Sequence, residues 1–168
     1  MAVDGFKSFE SPARTVRKRL SKSEIKEINT ELAVRYSTTD FFDKKDIVEL
    51  IDELYIVRDK YVALFFHDGV LYPSLHTLLA KNFLPVVTVD KGAVKFMASG
   101  ADVMRPGIVA IDSVIKQGSA VVIIDETHKK PLCVGIALFD AEPMREQARG
   151  KSVTTIHYIS DEIWNYSA

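Results

Sequence analysis

The stretch VDKGAVKFMASGADVMRPGI, Val89–Ile108, places three of the chain's eight glycines within twenty residues. Asp90 stands where a helix N-cap is expected, its carboxylate accepting from the first unpaired N–H groups. The same positive end is suited to a phosphate. Ala93, Phe96 and Met97 share one helical face and are expected in the core, whereas Lys91 and Lys95, four apart, point together on another side. Gly100 is placed for a left-handed C-terminal cap. Gly92 costs a helix about 1 kcal/mol relative to Ala, which is understandable where another backbone must come close. Pro106-Gly107 suits the centre of a type II turn. Taken singly, these glycines are turn and cap residues of a compact barrel, and the lysines a solvated face. Taken with Arg105, they describe a surface of N–H groups flanked by cations, fit to follow a sugar-phosphate backbone.

The segments that follow are short, strand-like and punctuated by Gly and Pro. Val109–Ile111, SAVVIIDE and LCVGIALF read as strands, AEPMREQAR as a helix ending at Gly150, and SVTTIHYI as a last alternating strand. Few helices among short strands indicate a small β-barrel. The preceding segment differs. Ser21 and Glu24 have capping-box spacing, with Leu20 and Ile25 as a hydrophobic staple, and Ile25, Ile28, Leu32 and Tyr36 continue at helical spacing. Val48 to Arg58 is read as extended, KYVALFFHDGVLYPS as strand, Asp-Gly turn and strand, and Ser74 to Lys81 as a short helix. Residues 1–13 read as a frayed lead or a short edge strand. Asn82 and Pro85 mark a boundary. The expected fold class is therefore α+β, with a small α/β N-terminal domain over 1–83 and a C-terminal β-pseudobarrel over 84–168.

The chain has 168 residues and a formal net charge of −1, so any polyanion site must come from local clustering of Lys and Arg. The run Arg14, Arg17, Lys18, Arg19 and Lys22 is the densest cluster, read either as a solvated lead into the first helix or as a second basic patch for RNA phosphates. The first twenty residues lack an apolar signal core, and no apolar run approaches a membrane span, so a cytoplasmic location is expected. His67, His76, His128 and His157 are scattered without metal-ligand spacing, and no metal or cofactor is expected. Cys133, in an apolar run, reads as a buried small hydrophobe. Asp125 and Glu126 read as a solvated hairpin end, and Trp164 as a seal on the barrel. No segment suggests a nucleophile with a positioned base, so binding rather than catalysis is expected.

The Val89–Ile108 stretch, with CVGIALF, RGKSV and HYISDEIW, resembles the PUA domain, an RNA-binding pseudobarrel, over about residues 84–166. YPSLHTLLAKNFLP just before it resembles the malignant T-cell-amplified sequence family, which joins an N-terminal domain tightly to a C-terminal PUA domain. The resemblance implies work on the small ribosomal subunit with a SUI1-type partner, in initiation and recycling. It implies RNA, a tRNA acceptor end or rRNA, lying along the first PUA helix and the following loop and strand. On this sequence those positions are Lys91, Gly92, Lys95, Gly100, Ala101, Asp102, Val103, Arg105 and Gly107, with Lys151 and His157 closing the face and Met104 either there or in the core. An accessory module for RNA modification and a protein-interaction adaptor are the competing readings.

Overall fold

The computed structural model describes residues 14–167, and the reading of residues 1–13 lies outside them. The basic run opens the fold as an edge strand, β1 (Arg17–Arg19), and not as a helix lead-in. The helix α1 (Lys22–Tyr36) starts at Ser21 with both arms of the capping box formed, and buries Ile25 and Leu32. Four strands follow: β2 (Val48–Ile51), β3 (Tyr55–Arg58), β4 (Tyr61–His67) and β5 (Val70–Pro73). They extend β1 into an antiparallel sheet in the order of the chain. The extended reading of Val48–Arg58 resolves into a hairpin whose turn residues Asp52 and Glu53 both have positive φ. The helix α2 (Leu75–Ala80) crosses back from this sheet.

The second sheet is built from β6 (Val86–Val89), β7 (Val103–Met104), β8 (Ile108–Ile111), β9 (Ala120–Asp125), β10 (Pro131–Ala137) and β11 (Lys151–Tyr158). A 3-10 turn and the short helix α3 (Val94–Met97) follow β6, α4 (Ala141–Glu146) precedes β11, and α5 (Glu162–Asn165) ends the described chain. The strand order is β7-β11-β10-β9-β6-β8. Its two edge strands, β7 and β8, are joined by only Arg105–Gly107, so the sheet must curl round until its edges meet. The result is an almost closed barrel, filled by Val87, Val89, Met97, Ile115, Val121, Ile123, Met144 and Val153. Cys133 is buried there as expected, its thiol pushed up to about 12 by burial. Asp125 is also buried, contrary to the solvated reading, because its carboxylate accepts from the His128 and Lys130 amides and closes the β9–β10 turn. The helix expected to reach Gly150 stops at Glu146. Gln147 turns extended there, and its side chain donates to the Arg149 and Lys151 carbonyls and accepts from Ser152.

The two sheets share a core in which Phe65, Leu75 and Leu78 meet Val122 and Val134. At its centre is His157, fully buried. Its Nε2 accepts from the Leu75 N–H at 3.0 Å, so the proton resides on Nδ1, which donates to Asp161 at 2.7 Å. A side chain on β11 thereby caps α2, whose Ser74 hydroxyl accepts a second amide from Thr77. Asp161 also accepts from the Tyr158 and Trp164 amides and so starts α5. Trp164 then stacks on His76 of α2 at 4.1 Å between centroids, and packs against the core that the two sheets share. His157 is thus corrected from a position on the RNA face to a post between the sheets. No helix among the described residues is long and apolar enough to cross a membrane.

Replacing His157 with Ala leaves the Leu75 amide and the Asp161 carboxylate without their buried partner. Urea unfolding should show a loss of about 3–5 kcal/mol, and His157→Phe, which restores apolar volume but accepts no hydrogen bond, should not recover most of it.

Candidate nucleic-acid interface

Beyond β6, Asp90 caps the 3-10 turn Lys91–Ala93, its Oδ1 accepting from the Ala93 N–H at 2.9 Å. The Lys91 N–H donates to Glu126 at 3.2 Å. Two carboxylates therefore occupy this end, and the phosphate seat expected at it is not formed. Gly92 is exposed, and an added Cβ would meet only Asp90 Oδ1 at 3.4 Å. No neighbouring backbone presses on it, so its bare main chain opens outward. Lys91 and Lys95 are both exposed and, among the described residues, neither takes part in an ion pair.

Phe96 departs from its expected place in the core and is 53% exposed. The 3-10 turn shifts the helical phase, so that Val94 and Met97, three residues apart, take the inward face. Lys95 Nζ lies 5.1 Å from the Phe96 ring centroid, a cation resting beside an aromatic face that is open to solvent. Met104 is also exposed, on the edge strand β7, and not part of the core. Neither apolar residue was separable from core positions by spacing alone.

Gly100 has the expected left-handed conformation, φ +85, and a second constraint. An added Cβ would lie 2.5 Å from the Tyr158 ring. Ala101 and Asp102 tie this loop to β11. The Ala101 carbonyl accepts the Thr155 hydroxyl, and Asp102 Oδ1 accepts the Thr155 N–H, both at 2.9 Å. Lys151 pairs with the other Asp102 oxygen at 2.7 Å. Burial works to raise the Asp102 pKa, but the hydrogen bonds from Lys151 and Thr155 outweigh it and hold the carboxyl below its ordinary 3.8. The Val103 side chain is buried in the barrel.

Arg105 is turned away from the role of phosphate contact. Its guanidinium donates to the carbonyls of Met144, Arg145 and Ile108 at 2.9, 3.2 and 3.1 Å. Arg145 donates to the Ile111 carbonyl at 2.6 Å. Two guanidinium groups thus fasten α4 to the edge strand β8 and close the barrel seam. Arg105–Gly107 is a 3-10 turn and not a type II turn. Gly107 is needed for closeness, since its Cβ would lie 3.2 Å from that of Ala93 while its carbonyl accepts the Asp90 N–H. Of the expected positions, Lys91, Gly92 and Lys95 form one exposed ridge, and Phe96 belongs with them. Gly100, Asp102, Val103, Arg105, Gly107 and His157 shape or support the fold behind it.

In the basic run, Arg17 pairs with Glu49 and Lys18 with Glu24. The Lys18 hydrogen bond and the Ser21 amide lower Glu24 to about 2. Arg14, Arg19 and Lys22 are exposed and unpaired among the described residues.

Comparison with known proteins gives consistent results. A family model described as the PUA domain matches residues 85–159. An uncharacterised protein of Methanocaldococcus jannaschii is 44% identical over 90% of this chain and 98% of its own. Malignant T-cell-amplified sequence 1-B of Xenopus laevis is 31% identical over 88% of this chain and 89% of its own. Translation machinery-associated protein 20 of Saccharomyces cerevisiae is 31% identical over 92% and 87%. Among solved structures, a PUA domain protein of Aeropyrum pernix superposes with a TM-score of 0.77 at 32% identity, over 90% of each chain.

Gly100→Ala should lower stability by more than about 2 kcal/mol, from the left-handed backbone and the clash with Tyr158 together. Gly92→Ala should leave it unchanged or raise it by up to about 1 kcal/mol; paired thermal melts read both. Because the Asp102 pKa is depressed in the folded state, its contribution is present above the ordinary carboxylate value and is lost as pH falls below it. Asp102→Asn should therefore be less stable than the parent at pH 6, with the difference narrowing towards pH 3 in urea titrations.

Proposed function

This chain belongs to the PUA-domain proteins of the malignant T-cell-amplified sequence family, and on that premise we propose that it binds RNA as part of the translation machinery, without a catalytic step. The observation that carries the proposal is the exposed Lys91–Gly92–Lys95 ridge with Phe96 beside it, in a chain whose net charge offers no general attraction for RNA. The two ammonium groups neutralise phosphates and release counterions. Gly92 lets a strand approach without side-chain bulk, and the open face of Phe96 offers a surface for an unpaired base. The RNA is a tRNA acceptor end or small-subunit rRNA, and the protein acts in the cytoplasm on the small ribosomal subunit with a SUI1-type partner. The kinship with a translation machinery-associated protein supports this assignment. Arg19 on β1, with Arg14 before it and Lys22 at the start of α1, supplies a second, non-specific phosphate contact.

Titration of tRNA at two salt concentrations tests the ridge. Affinity should fall as salt rises, and Lys91→Glu with Lys95→Glu should weaken binding at least about tenfold at moderate salt while flattening the salt dependence. Binding unchanged by the double substitution would remove the ridge from the interface. Phe96→Ala should weaken binding to single-stranded RNA by roughly 1–3 kcal/mol.

A further inference from the structure

The turn between β9 and β10, residues 126–130, carries His128, Lys129 and Lys130 in succession, all exposed. It lies against the ridge. The Glu126 N–H donates to the Val89 carbonyl at 3.0 Å, and the Glu126 carboxylate accepts the Lys91 N–H at 3.2 Å. β6 and β9 are in register at Val89 and Asp125, and the Asp125 N–H donates to the Lys130 carbonyl on the next strand. Two strand spacings, about 10 Å, thus separate the end of β6, where the ridge begins, from Lys130.

The conformation of the turn is fixed from within. The two carboxylate oxygens of buried Asp125 accept from the His128 N–H at 2.6 Å and the Lys130 N–H at 2.9 Å. Its carbonyl accepts the Lys129 N–H at 3.1 Å. Pro131 confines Lys130 to extended backbone. Lys129 has φ 56, in the left-handed region that glycine enters freely and a long side chain enters at a cost. Among the described residues it is the one cation there, the other non-glycine cases being Asp, Glu and Ser. A tight reversal alone would be better served by glycine, and an outlier of this kind points to use of the side chain. Neighbouring carboxylates leave the ammonium groups free. Asp125 is buried, Asp90 is half-buried on the Ala93 N–H, and Glu126 holds the Lys91 N–H. Lys91, Lys95, Lys129 and Lys130 are all exposed, and among the described residues none takes part in an ion pair. We propose that the β9–β10 turn is a second phosphate-binding element of the RNA interface, with Lys129 and Lys130 holding further phosphates of the strand that Lys91 and Lys95 hold on the ridge. This rests on the RNA-binding reading and extends its footprint over two adjoining elements.

The test measures the affinity of the full chain for tRNA and for a short single-stranded oligoribonucleotide over a series of salt concentrations. Lys129→Gln with Lys130→Gln is compared with the parent, with Lys91→Gln and Lys95→Gln, and with Lys44→Gln and Lys45→Gln. The last pair is exposed in the loop between α1 and β2 and removes the same charge elsewhere. Each phosphate contact on a single strand adds about 0.7 to the slope of log affinity against log salt. The turn pair should therefore flatten the oligonucleotide slope by about 1.4 and weaken binding roughly tenfold at moderate salt, while the loop pair leaves both nearly unchanged. Lys129→Gly, which relieves the strained backbone, should melt no lower than the parent and still give about half of that change in slope. If the turn pair behaves like the loop pair while the ridge pair loses affinity, the turn is refuted and the ridge stands. If the parent binds neither RNA, the RNA-binding reading falls and the turn with it. If the turn variants keep their RNA affinity and lose a copurifying acidic protein, the occupant is a polypeptide and the assignment to RNA is overturned.

Discussion

His157 receives the first amide of α2 from one side and gives its own proton to Asp161 on the other. Through these two hydrogen bonds, a helix that crosses the first sheet, the last strand of the barrel and the closing helix α5 become one assembly. A helix start buried without partners would be costly. Here the partner comes from 82 residues away, so the cap forms only when both sheets are in place. The ring contacts around it, Phe65 against His157 and Trp164 against His76, add to the apolar burial of the shared core. The hydrogen bonds fix the angle at which that burial occurs.

Much of the architecture was readable from local signals. Ser21 and Glu24 announced α1, Asp68-Gly69 announced the β4–β5 hairpin, and the alternation of SVTTIHYI announced β11. The Asp52–Glu53 turn escaped because it carries no glycine at its two positive-φ positions. Arg17–Arg19 did not look like a strand because its regularity is borrowed from pairing with β2. Nothing in three consecutive basic residues encodes that. Asp125 looked solvated because an acidic residue beside a basic turn usually is. Its burial follows from the amides that the turn directs at it.

Site residues were harder to read, for a related physical reason. Arginine serves equally well against phosphates and against backbone carbonyls, and only geometry separates the two uses. Arg105 spends all its reach on three carbonyls. His157 and Val103 occupy the same short motifs as the exposed residues but face the other way. Conversely, Phe96 was assigned to the core from helical spacing, and a single 3-10 turn upstream was enough to rotate it into solvent.

The seam of the barrel has a consequence for the molecule's company. An open sheet rim is a row of unpaired carbonyls that invites a foreign strand. On β8 the carbonyls of Ile108 and Ile111 are already engaged by guanidinium groups, which satisfy them without offering a continuing ladder. The rim is thereby made unattractive to another copy of the chain. A foreign strand could pair along this seam only by first displacing the two guanidinium groups.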